Sequence, residues 1–78
     1  MAEEGAIECL ILLLESANEL TQRQAAKALA NLGVSNENKP KIADAGGIPK
    51  LVRLAGISSI GVRIEAVAAL ANLAVNGQ

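Results

Sequence analysis

The stretch Ala25-Ala26-Lys27-Ala28-Leu29-Ala30-Asn31-Leu32 returns as Ala66-Val67-Ala68-Ala69-Leu70-Ala71-Asn72-Leu73, every residue displaced by 41 positions. Laid over the rest of the chain without a gap, the same displacement aligns Ala2 with Ala43, Gly5 with Gly46, Ile7 with Ile48, Leu10 with Leu51, Leu13 with Leu54 and Val34 with Val75. A period between about 20 and 50 residues, with apolar positions at helical spacing, marks a stacked array in which each unit buries its apolar face against the next. No segment alternates in twos as a half-buried strand does. The expected fold class is all-α, without strands.

The chain supplies the helices in order. From Gly5 to Glu15, Ile7, Leu10, Ile11 and Leu14 recur at i, i+3, i+4 and i+7, with Leu13 widening the stripe, which predicts a short buried helix. Asn18 is a good N-cap because its side-chain oxygen can accept from the free amides of the next turn. The helix it starts carries Ala25, Ala28, Leu29 and Leu32 inward, exposes Glu19, Gln22 and Arg23 early, and ends at Gly33. Asn36 and Asn38 are candidate caps for a two-turn helix that holds Pro40 in its first turn, turns Ile42 and Ala43 inward and stops at Gly46-Gly47. Pro49 opens a fourth helix with Ile48, Leu51, Val52 and Ala55 as its stripe and Gly56 as its stop. Ser59 then takes the place of the cap Asn18. The last helix runs from about Ile60 to Val75, turns Ile64, Val67, Leu70, Ala71 and Ala74 or Leu73 toward neighbours, and ends at Asn76-Gly77.

Composition excludes several classes of function. At 78 residues the chain makes one small domain, which buries only about 60 per cent of its unfolded surface. Its 51% apolar share is wholly aliphatic, so Leu, Ile, Val and Ala fill the interior alone. Lys and Arg total 7 against 8 for Asp and Glu, a balance with no long-range field to gather nucleic acid or anionic lipid. The single Cys9 cannot close an intrachain bridge, and a small domain without disulfides fits a reducing interior. Glu3 and Glu4 stand where a secretory signal carries positive charge. The longest apolar run, Cys9 to Leu14, is far shorter than the roughly 20 residues of a membrane span. An intracellular protein is expected, cytoplasmic with the nucleus open to it.

Catalysis finds no machinery. With no His or Tyr and no base for Cys9, acid-base or nucleophilic chemistry would rest on isolated carboxylates and lysines, so no enzyme, cofactor or metal is expected. Glu3, Glu4 and Glu8 lack the alternating oxygen ligands around a glycine bend that hard cations require, and read as a solvated helix start. Gly46-Gly47 lacks the neighbouring Lys-Ser/Thr of a phosphate cradle and reads as a corner between helices.

One unit is thus a short, a middle and a long helix, and its residues resemble a known family. The Asn36-Glu37-Asn38-Lys39 start, the Ala45-Gly46-Gly47-Ile48-Pro49 corner and the Ala69-Leu70-Ala71-Asn72-Leu73 ending are similar to an armadillo repeat. The resemblance implies two units in one continuous solenoid: residues 36–78 as a complete repeat, and residues 1–35 as a partial one that lacks most of its first helix. It also implies an alpha-alpha superhelix, a right-handed solenoid whose third helices line a groove for extended peptide segments of partner proteins. In the family an asparagine on each third helix grips the guest's backbone, and Asn31 and Asn72 stand at that place. A carboxamide has the chemistry for this, since it offers an acceptor and two donors to any extended strand. The alternative is that both merely occupy a last helical turn. Members that bind nuclear-localisation peptides carry a tryptophan four residues earlier, where this chain has Lys27 and Ala68. Lys27, with Arg23 one turn before it, would repel a basic guest and suit an acidic or neutral segment, unless both are simply solvated charges.

A second expectation is self-association. Two units are fewer than the three or so a stacked array usually needs, and neither end carries a polar capping unit. Ile7, Ile11 and Leu14 at one end, with Leu29, and Val67, Leu70 and Val75 at the other are expected to stay open and draw copies together into a homo-oligomer.

Overall fold

The structure, a computed structural model, describes residues 5–57 and 59–75. All five expected helices form, α1 (Ala6–Leu13), α2 (Glu19–Leu32), α3 (Asn38–Asp44), α4 (Gly47–Ile57) and α5 (Ile60–Ala74), and there is no strand among the described residues. The sequence repeat becomes a repeat of backbone: Gly5 and Gly46 both take left-handed φ, 88° and 85°, at the same corner of the two units. A side chain is strained there and glycine is not.

The helix ends show which local signals held. Asn18 Oδ1 accepts from the Thr21 amide at 3.0 Å, the N-cap read from sequence. Ser59 has the extended backbone of a cap, but its side chain makes no capping bond. Neither Asn36 nor Asn38 caps α3; that position falls to Glu37, whose side chain makes no capping bond either. Gly56 does not stop α4, which starts at Gly47, holds Pro49 in its first turn and runs through Gly56 to Ile57. An interior glycine costs only about 0.5–1 kcal/mol and ends nothing by itself. The expected stop at Asn76-Gly77 and the residues Glu3 and Glu4 lie outside the described residues.

α2 against α5 is the most extensive helix pair, followed by α4 against α5. Small residues fill much of this core: Ala25, Ala26 and Ala30 on α2, and Ala66 and Ala69 on α5, are buried. Leu14, Leu29, Ile42, Leu51 and Val62 supply its bulk. Several residues expected to face inward do not. Ala43, Ile48, Val52, Ile64, Ala71 and Ala74 are exposed, whereas Leu54 and Val62 are buried. α5 is apolar on nearly every side, so its spacing cannot select a face, and the packing against α2 and α4 does.

Positions 41 apart expose the logic of the array. Ile11 is 3% exposed and its counterpart Val52 is 54%; Ala26 is 0% exposed and its counterpart Val67 is 53%. The second unit covers the far side of the first, and no described residue covers the far side of the second. The contrast runs the other way on the near side, where Leu54 is buried and Leu13 is exposed.

Two residues of the expected self-association set are therefore corrected. Ile11 and Leu14 are enclosed, not open. Ile11 is covered from the following unit: α1 meets α3, and a Cβ placed on Gly47, at the start of α4, would lie 3.2 Å from Ile11 Cδ1. Ile7 and Leu70 are half-buried, Leu29 is fully buried, and Val67 and Val75 are exposed.

Candidate functional site

α2 and α5, the third helices of the two units, lie side by side and position every residue assigned to the peptide face. Arg23, Lys27 and Asn31 are exposed along α2, at four-residue steps that keep them on one side of the helix. The Arg23 stem lies across the start of α5, its Cδ 3.4 Å from where a Cβ on Gly61 would sit. Ala68 is half-buried and packs on the core, so it adds neither a charge nor an aromatic slot.

The two asparagines differ. Asn31 is exposed, and its side chain makes no hydrogen bond among the described residues. Asn72 is half-buried, and its Nδ2 donates to the Ala30 carbonyl of α2 at 2.7 Å. Its amide group therefore ties the two long helices together, while Oδ1 accepts no hydrogen bond among the described residues. Identical residues at identical register have different duties because only the second has a helix on its amide side.

Side chains that the sequence reading passed over close the helix ends beneath this face. The last carbonyls of a helix have no partner within it. Lys39 Nζ donates to Gly33 O at 2.5 Å and to Asn72 O at 2.7 Å, so one ammonium closes the C-terminal ends of both α2 and α5. A cation is also favoured at these negative dipole ends. Asn38 Nδ2 donates to Leu32 O, and Gln22 Nε2, expected to be exposed, donates to Leu14 O at the end of α1. Lys39 and Asn72 stand 33 residues apart in sequence. A lysine in the polar segment from Ser35 to Lys41 reads as solvated, and no local signal could have singled it out.

Two ion pairs on one carboxylate join the units: Glu15 meets Lys50 at 2.8 Å and Arg53 at 3.7 Å. The hydrogen bond from Lys50 and its charge hold the Glu15 carboxyl below the usual carboxylate range, and Arg53 adds to the effect. A lowered folded-state pKa gives stability that is present above the unfolded pKa and lost as pH falls through the folded one. Glu15→Gln is accordingly expected to melt slightly below the parent chain at neutral pH, with the gap closing as pH falls below the usual carboxylate range. Paired thermal melts at neutral and acidic pH check this. The effect is small because the pair is solvent-exposed.

Cys9 is a free, exposed thiol. Among the described residues no three His, Cys, Asp or Glu side chains gather to hold a metal ion, and no helix is long and apolar enough to cross a membrane.

Known proteins share this arrangement. The "Armadillo/beta-catenin-like repeat" family description matches residues 1–34 and again 35–75. The U-box domain-containing protein 12 of Arabidopsis thaliana is 36% identical over 77 residues, which is 96% of this chain but only 12% of that protein. The crystal structure of an engineered protein superimposes with a TM-score of 0.83 at 38% identity, covering 86% of this chain and 28% of the other. With two consecutive matches spanning almost its whole length and the helix triplet in place, the chain belongs to the armadillo repeat family.

Proposed function

We propose that the chain is a protein-interaction module whose α2–α5 face holds an extended peptide segment, neutral or acidic, without catalysis. The observation that carries this reading is the exposed line Arg23, Lys27 and Asn31: two cations beside a carboxamide with its donors and acceptor free. Asn31 grips the guest's backbone in both directions. Asn72 contributes an acceptor alone, because its amide is engaged with Ala30. Lys27 and Arg23 favour acidic side chains and disfavour basic ones. Binding is weak, since two rungs sum far less than the several of a longer array. We place this work inside the cell, in the cytoplasm or nucleus, on the lone thiol and the absence of disulfides.

Titration of the chain with an extended acidic peptide and a lysine-rich peptide of equal length tests this. The acidic peptide is expected to bind more tightly, by a margin that shrinks with added salt. Asn31→Ala should weaken it by about 2- to 10-fold, the range of a lost hydrogen bond worth about 0.5–1.5 kcal/mol, without moving the melting temperature. Asn72→Ala should instead lower the melting temperature, since it cuts the tie from α5 to α2. Unchanged affinity in Asn31→Ala, or a preference for the lysine-rich peptide, would end the reading.

A second reading is self-association through open apolar faces. The exposure of Val52, Ile64 and Val67 on the second unit favours it, with Leu70 and Val75 beside them and Ile7 at the opposite end.

A further inference from the structure

At the positions of Arg23 and Arg53 in its internal seam, the chain's two outer faces carry the aliphatic residues Ile64 and Leu12. In the seam between units, Glu15 meets Lys50 and Arg53, and the Arg23 stem lies against Gly61. Ile11 meets Gly47, and the Asn72 amide donates to Ala30 O. Each contact joins a residue of the first unit to one of the second, so the 41-residue register converts it into the contact that the far side of the second unit would make with the near side of a following first unit. Arg23 against Gly61 becomes Ile64 against Leu20. Ile11 against Gly47 becomes Val52 against Ala6. Glu15 against Lys50 and Arg53 becomes Gly56 against Cys9 and Leu12. Asn72 donating to Ala30 O becomes Asn31 donating to Ala71 O.

The converted contacts match in chemistry. Ile64 and Leu20 are each 62% exposed, and Leu12 and Val52 are exposed too. Where the chain serves as its own neighbour the edge is charged and solvated. On the two outer faces three of the four converted contacts are apolar, and burying such side chains is favourable by about 25 cal/mol per Å².

We propose that the chain stacks head to tail on a second copy of itself, the α5 side of one copy against the α1–α2 side of the next, with Ile64 packed on Leu20 and Val52 on Ala6. It rests on the self-association reading and adds the orientation and the pairing. Two different surfaces meet, so the contact is heterologous and does not close on itself; copies add in an open row that continues the turn from the first unit to the second.

Light scattering on the chain and two variants tests it. The parent's mass should rise with concentration past twice 8.0 kDa without a plateau. Ile64→Glu spoils one face and Leu20→Glu the other, so each alone should hold monomer mass at every concentration. Their equimolar mixture should reach twice that mass and stop, because each variant still offers the face the other has lost. Both positions are exposed, and circular dichroism melts confirm that the variants fold. A parent chain that stays monomeric throughout ends both self-association and the pairing. A parent that associates while either variant alone does so equally, or while the mixture stays monomeric, ends the head-to-tail pairing and leaves self-association by other surfaces standing.

Discussion

Leu29→Ala is expected to destabilise the chain by about 2–5 kcal/mol, the range for emptying a buried leucine site, whereas Leu70→Ala, the same change at the equivalent position, should cost clearly less. Leu29 is fully buried in the core, and Leu70, 41 residues on, is half-buried and packs against that core from its edge. Deleting side-chain carbons removes apolar burial and leaves a cavity only where walls stand on all sides. A domain of this size is stable by about 4–12 kcal/mol in all, so the first change takes a large part of the total. Urea denaturation of the two variants beside the parent measures the difference. Equal losses would mean that the surroundings of Leu29 and Leu70 are alike, and the covered and open sides described above would be lost as a distinction.

Two glycines of α4 give the second large effect, and it differs in sign. Gly47→Ala is expected to destabilise by about 1–3 kcal/mol, the cost of overfilling a packed site. Its Cβ would stand 2.8 Å from Ile42 Cγ2 and 3.2 Å from Ile11 Cδ1. Ile42 and Ile11 are themselves buried and have no room to retreat. Gly56→Ala meets nothing within 4 Å and lies inside the same helix. It is expected to stabilise by about 0.5–1 kcal/mol through reduced backbone freedom in the unfolded chain and better helix propensity. Thermal melts of the two variants decide the matter, and a Gly47→Ala chain as stable as the parent would show that the corner between α3 and α4 is loosely packed.

Much of the fold was legible because it is local. The i, i+3, i+4 apolar spacing marked α1 and α2, Asn18 announced the start of α2 and delivered the capping bond, and the repeat aligned Gly5 with Gly46, the two glycines that the structure places in left-handed corners. The candidate face was legible in part. Arg23, Lys27 and Asn31 stand exposed on one side of α2 as the spacing requires, but the different condition of Asn72 follows from a carbonyl 42 residues away. Glu15 likewise finds its partners only across the unit boundary.

What the amino-acid order determined by itself is the helical triplet, its period and the need for a sibling beside it, since short-range periodicity and capping act within one or two turns. The tertiary structure alone decided which apolar side of α5 is covered, that Ile11 and Leu14 are enclosed, and that Lys39 closes two helices at once. The reason is that α5 is greasy nearly all round and a lysine stem is long and unbiased, so each accepts whatever neighbour the stacking brings.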